Sequence, residues 1–291
     1  MTIKTKKFVL FLCSVAITAG LAFEPLYRLM KEGLHREYYS HVPLMPIISG
    51  LILIRRWRRS AEGGAGSPLA GIAVAGLGAA FIVMDLVFSL DLITHAEIRT
   101  CGSILIVVGT FLGFYGAASL RKALFPFLFL VFMIPLPLAW MEHFVSALVA
   151  ASAVFSNMLF AAFGVPFVQE GSLFRLPDFD IIVAEACSGI RSSLALLITS
   201  VLAAQLFLNR PWKKAVLALA VFPVTVFKNA VRIVTLYLLS YFIDMRIIQG
   251  GFLHRSGGFI FFGLGLVMMG FMLWLLKNPK EAWEKVSIPL R

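Results

Sequence analysis

Charge is scarce in this sequence. Asp, Glu, Lys and Arg make up 14% of 291 residues, where a soluble chain carries roughly 25%. Hydrophobic residues make up 60%. A water-soluble fold has no interior large enough to hide so much apolar sequence, so lipid is the expected solvent. The length suits one membrane domain over residues 1–291. Cysteine is scarce too, with only Cys13, Cys101 and Cys187, which excludes a disulfide framework. The chain has no HExxH and no CxxC, so neither a metal site nor a cofactor is expected. On a soluble protein the net charge of +11 would point to nucleic acid. Here the basic residues fall in short runs between apolar stretches, without the aromatic interleaving of single-strand binders. No nucleic-acid partner is expected, and the basic runs are read as membrane topology.

A spanning helix needs about 20 mostly apolar residues. Candidates lie near 8–24, 42–56, 69–90, 101–119, 122–138, 189–208, 213–241 and 257–276. The fold class expected is therefore an all-α polytopic membrane protein with about eight transmembrane helices. Lys4, Lys6 and Lys7 before the first apolar run look superficially like a signal peptide. No A-x-A site follows, so this segment is read as an uncleaved first helix. A further apolar stretch, 142–164, conflicts with the charge rule. If it crosses, everything after it flips and Arg210, Lys213 and Lys214 fall outside. The alternative is a ninth span with odd topology; the expectation is an interfacial or re-entrant helix at 142–164. Its Ser146, Ala150, Ala153 and Asn157 recur at helical spacing and suit close helix packing.

With the N-terminus cytoplasmic, the inner segments hold Lys4, Lys6, Lys7, Arg55, Arg56, Arg58, Arg59, Arg121, Lys122, Arg210, Lys213, Lys214 and the basic tail 277–291. Between 165 and 187 the character changes to short β-rich runs around Gly171-Ser172, read as a small outer β-hairpin. It carries Glu170, Asp178, Asp180 and Glu185.

The hairpin leads into Glu185-Ala-Cys187-Ser-Gly-Ile-Arg191, and a long apolar helix begins there. Cys187 thus sits at a helix N-terminus, where unpaired N–H groups and the helix dipole favour a thiolate. The same N–H groups can donate to an oxyanion. The other reading is a structural cysteine at a helix cap. Arg191 lies one turn on and adds positive charge. In the next long segment Arg232 is 19 residues past Lys213, about 28 Å along a helix. Lys228 and Asn229 lie one turn below it. Ionisable residues inside a span are costly and usually mark function. Snorkelling to the head groups fits Arg232 and does not fit Lys228. Asp85 in the third span is a candidate counter-ion for this pair. His254 lies in the Gly-rich stretch Gly250–Gly258 before the last span, by the same topology on the outer side. Cys187, Arg232 and His254 come from three parts of the chain and map to one membrane face. Such a set serves acyl transfer: thiolate attack, protonation of the leaving amine by His, and oxyanion stabilisation by Arg. Arg191, Asn229, His41, Glu170 and Ser188 are candidate substrate-binding or supporting residues. His35, His95 and His143 are read as ordinary interface residues.

The run Glu185-Ala-Cys-Ser-Gly-Ile-Arg-Ser-Ser193 resembles the signature of the exosortase/archaeosortase family, in its bacterial form. Tyr39-Ser-His-Val-Pro43, Ile134-Pro-Leu-Pro137, Gly164-Val-Pro166 with Glu170-Gly171, Asn229-Ala-Val-Arg-Ile233 and the His254 segment match in the same order. The resemblance runs from about residue 38 to 276 and is to a stand-alone form. It implies a multi-pass cysteine protease or transpeptidase of the cell inner membrane. The implied substrates are exported, membrane-tethered proteins with a C-terminal sorting signal of the PEP-CTERM kind. The family's Cys, Arg and His carry over onto Cys187, Arg232 and His254, with the site facing the periplasm or exterior. Rival readings are a transporter with Lys228, Arg232 and Asp85 along its path, a rhomboid-like serine protease, or a non-enzymatic assembly factor for exopolysaccharide or surface-protein export.

Overall fold

The computed structural model describes residues 3–32, 39, 41–61, 65–88, 90–183, 189–243 and 252–277. The chain divides into two compact units, Met1–Trp140 and Met141–Arg291. Among the described residues, seven helical segments are long and apolar enough to cross a membrane: Thr5–Arg28, Pro68–Val87, Leu92–Lys122, Ala139–Ala162, Ile190–Phe207, Pro211–Phe242 and Gly258–Leu276. Leu69 and Ile72 expose more than two thirds of their surface, as do Val267 and Trp274. Side chains of this size turned outward in such number require lipid around them.

The first unit holds α1 (Ile3–Glu32), α2 (Leu44–Ala61), α3 (Pro68–Val87), α4 (Leu92–Lys122) and α5 (Leu124–Phe129), followed by a 3-10 turn at Leu130–Met133. The pair α3 and α4 packs backbone on backbone. A Cβ on Gly71 would lie 2.4 Å from the Gly113 α-carbon, and one on Gly78 would lie 2.5 Å from the Gly102 carbonyl oxygen. No larger residue fits at either point, which is the small-residue packing lipid-embedded helices use. At the N-terminus of α4, Asp91 accepts from the Thr94 backbone N–H at 3.2 Å. The hydrogen bonds from Thr94 hold the Asp91 carboxyl below its ordinary value, as expected for an acidic helix cap.

Two expectations for this region change. The stretch 122–138 does not form a spanning helix: α5 ends at Phe129 and the chain passes through the 3-10 turn and an extended Ile134 into non-helical backbone at Pro135–Pro137. Proline fixes φ and removes the N–H that a continuing helix needs. The span in its place is α6 (Leu138–Ala162), long and apolar enough to cross, where an interfacial or re-entrant helix was expected. The second candidate, 42–56, is α2, whose apolar part is the short Leu44–Arg55.

Asp85 is the other correction. Its side chain is wholly buried and accepts from Arg99 Nε at 2.7 Å, with His95 Nδ1 at 2.5 Å from the other oxygen. It therefore serves Arg99 within the first unit. His95, read as an ordinary interface residue, is part of that cluster, which Glu24 and Arg28 extend toward the surface.

The second unit contains most of α6, then β1 (Val168–Glu170), β2 (Leu173–Arg175) and β3 (Ile181–Ile182), then α7 (Ile190–Phe207), α8 (Pro211–Leu219), α9 (Val221–Phe242) and α10 (Phe252–Leu276). The expected hairpin is a three-stranded antiparallel sheet in the order β1-β2-β3. Glu170 pairs with Leu173, so Gly171 and Ser172 form a two-residue turn. Gly171 supplies the positive φ of 63° that such turns need. Phe174 points inward from β2 and is fully buried. Its ring lies 5.4 Å from Phe160 of α6, and Phe160 meets Tyr237 of α9 edge-on at 5.4 Å. Aromatic pairs at this spacing add about 0.5–1.5 kcal/mol each beyond burial. They seat the sheet on α6 and α9, and so fix where the chain enters α7. The segment 211–242 bends between α8 and α9, where Pro223 in the first turn of α9 obstructs a straight continuation.

Candidate active site

Cys187, with Glu185 and Ser188, lies outside the described residues, but both flanks of this segment are fixed. Upstream, Val183 is buried and its N–H donates to the Ser172 carbonyl at 2.9 Å. Downstream, Gly189 caps α7 with φ 72° and ψ 17°, a left-handed conformation. An L-residue is strained there. A Cβ on Gly189 would sit at ordinary contact distance from its neighbours, 3.4 Å from Ser192 Oγ, 3.5 Å from Lys228 Nζ and 3.7 Å from Asn229 Oδ1. The chain two residues after Cys187 thus rests directly on the polar face of α9.

That face is a connected network. Lys228 Nζ donates to Ser192 Oγ at 2.5 Å, and Ser192 Oγ donates to the Gly189 carbonyl at 2.8 Å. Asn229 Nδ2 donates to Ser152 Oγ of α6 at 3.1 Å, both residues being buried. Helix α9 is therefore pinned by polar contacts to α6 on one side and to α7 on the other. Buried polar groups that are satisfied in this way define a helix rotation that apolar contacts alone leave loose.

Arg232 stands one turn beyond Lys228 and is half-buried. The two like charges interact unfavourably. Among the described residues, no carboxylate pairs with either, and Arg232 has no hydrogen-bond partner. Two cations on one helix face without a counter-ion are costly, and the arrangement favours an anion at that place.

Helix α10 crosses the same cluster. A Cβ on Gly265 would lie 2.9 Å from Leu196 of α7 and 3.4 Å from Cδ of Lys228. Further along α10, Met269 shares a buried cluster with Val221 at the start of α9, so the two helices run antiparallel. His254 falls on the first turn of α10, which begins at Phe252, rather than in a loop; it still precedes the apolar span Gly258–Leu276. Its side chain lies outside the described residues. Along the helices, Arg232 and His254 lie on the same side of the Lys228–Gly265 contact, about 6 Å and about 16 Å away at 1.5 Å per residue.

The supporting residues divide. Asn229 belongs to the network. Arg191 is exposed on the first turn of α7. Glu170 pairs with Arg175 across the β-turn at 2.9 Å, both more than half exposed, a contact worth little in energy. His41 belongs to the first unit, where its Nε2 lies 3.1 Å from the Phe132 carbonyl. Sequence reasoning missed Ser192 and Ser152 as the partners of Lys228 and Asn229. The signal for Lys228 was present: a lysine this deep in an apolar helix needs a buried polar partner.

A family model described as transmembrane exosortase matches residues 33–271. No curated protein and no solved structure matches the chain. The match covers most of the sequence, including every element of the second unit up to the last turns of α10. The chain belongs to the transmembrane exosortase family and is a multi-pass, helix-dominated membrane protein.

Proposed function

We propose that this protein is a membrane-embedded cysteine protease or transpeptidase, with Cys187 as nucleophile, His254 as general acid and Arg232 as oxyanion cation. Its proposed substrates are exported proteins tethered by a C-terminal sorting signal of the PEP-CTERM kind. The observation that carries the reading is the seating of Gly189 against Lys228 and Asn229. It holds the chain two residues past Cys187 beside the helix that presents Arg232, whose guanidinium has no carboxylate partner among the described residues.

The chemistry follows from the residue types. The Cys187 thiolate attacks the scissile carbonyl carbon, and the electron pair moves to oxygen. Arg232 and the N–H groups at the start of α7 stabilise that oxyanion. Collapse breaks the C–N bond, and His254 delivers its proton to the leaving amine. A thioester remains on Cys187, and water or an acceptor amine releases the product.

Orientation is argued from charge. With the shorter α2 counted as a crossing, replacing 122–138 by α6 keeps the number of crossings before residue 165 unchanged. Arg121, Lys122, Arg210, Lys213 and Lys214 then stay on the side of Lys4, Lys6 and Lys7, as the positive-inside rule requires. The β-sheet and the start of α7 take the opposite side, the outer face of the cytoplasmic membrane. A substrate held by its own C-terminal helix presents its peptide at that interface, and tethering raises its effective concentration.

The test is processing in cells. A tagged reporter with a sorting signal from the same genome is co-expressed with wild type, Cys187→Ala or Cys187→Ser. Loss of the processed band in both variants, at normal membrane levels, is expected. Undiminished processing would refute the nucleophile assignment.

A further inference from the structure

The lysine at the centre of the polar network has no place in the mechanism above. Lys228 is 4% exposed, carries an ammonium into the interior of a membrane helix, and has no carboxylate beside it among the described residues. A structural lysine at such depth is normally paired with an acid or replaced by an apolar residue. Its surroundings face it from three helices. Helix α7 presents Ser192 and Leu196, α10 presents the bare backbone of Gly265, and α9 itself presents Arg232 and Asn229. The charged neighbour is thus another cation. What Lys228 does contact is the turn that follows Cys187. Its Nζ donates to Ser192, Ser192 donates to the Gly189 carbonyl, and a Cβ on Gly189 would lie 3.5 Å from the same Nζ.

We propose that Lys228 is a positioning residue for Cys187, one that locks the Gly189 turn through Ser192 and places beneath it the positive charge that keeps the sulfur a thiolate. This inference rests on the reading of Cys187 as nucleophile. It goes beyond that reading by assigning the activation of the sulfur to a buried lysine one turn below the oxyanion cation. Three features support it together. The contact chain reaches the backbone two residues from the cysteine. The glycine at the contact is held in a conformation that side chains resist. Among the described residues no acid neutralises the lysine, which leaves its field available to an anion at the start of α7. A nearby cation lowers a thiol's pKa, and reactive cysteines occur in such electropositive surroundings.

The experiment reads the sulfur directly. The full chain is prepared in detergent with Cys13→Ser and Cys101→Ser, so that Cys187 is the remaining thiol. Alkylation by iodoacetamide is followed against pH, and processing of the tethered reporter is followed alongside. With Lys228→Met, and with Lys228→Gln as a second variant that fits the pocket differently, the alkylation midpoint is expected to rise by about one pH unit or more. That corresponds to a roughly tenfold slower alkylation near neutral pH. Lys228→Arg keeps the charge and is expected to restore the low midpoint while processing stays reduced, because a planar guanidinium cannot reproduce the single Nζ contact. An unmoved midpoint in both neutral variants, or an equal rise with Lys228→Arg, would overturn the proposal. Failure of the underlying reading shows separately, as processing that persists with Cys187→Ala while the midpoint still responds to Lys228.

Discussion

Lys228 of α9 and Ser192 of α7 meet at 2.5 Å although 36 residues separate them in sequence. That bond ties the turn after Cys187 to the helix carrying Arg232, so changes on either side should act on the other.

Arg232 should be the most sensitive position on α9. Replacement by Gln is expected to reduce reporter processing by about 10²–10³, the usual cost of removing one oxyanion donor. Arg232→Lys should not restore it, because lysine lacks the planar fork. Quantitative blotting of processed and unprocessed reporter checks both, with membrane levels of the variants unchanged.

Gly189→Ala places a side chain on a backbone held at φ 72°, in ordinary contact with Ser192, Lys228 and Asn229. The left-handed conformation alone costs about 1–2 kcal/mol for an L-residue. The variant should unfold at a lower temperature in detergent, and its processing should fall further than that stability loss explains.

Asn229 and Ser152 form a buried pair. Asn229→Ala leaves the Ser152 hydroxyl without its donor, at a cost of about 1–3 kcal/mol. Ser152→Ala should cost a similar amount. The double variant should cost less than the two singles together, and thermal melts of all four proteins give the coupling.

A buried charge cluster of the first unit offers a test away from the site. Asp85→Asn removes the counter-charge from Arg99. Breaking such a pair costs about 3–5 kcal/mol, so this variant should be markedly less stable. Asp85→Asn combined with Arg99→Gln should recover part of the loss.

Hydropathy made the helical membrane fold legible, because lipid-facing side chains and core side chains are both apolar over whole spans. It failed to choose between 122–138 and 142–164, which are similarly apolar. Pro126, Pro135 and Pro137 were the deciding signal, since each lacks the donor that a long helix needs. Asp85 was given the wrong partner for a related reason. Short links join successive helices as neighbours, so Arg99 on the following helix was nearer to hand than a cation on α9. The β-rich region 165–187 reads as a hairpin rather than a three-stranded sheet because the third strand is only Ile181–Ile182, set by its pairing with β2. In the candidate site, Lys228 and Asn229 stood out as polar residues in an apolar helix. Their partners did not, because Ser192 and Ser152 lie on other helices and serine within a span is unremarkable.

The central claim is that a peptide is transferred onto the Cys187 sulfur, and mass spectrometry of the enzyme during turnover tests it most directly. Membranes carrying enzyme and tethered reporter are quenched in acid, digested and searched for the peptide containing Cys187. The account predicts a reporter-derived acyl group on that peptide, released by hydroxylamine as a thioester should be. A reporter adduct on any other residue, in enzyme that goes on processing with Cys187→Ala, would contradict it.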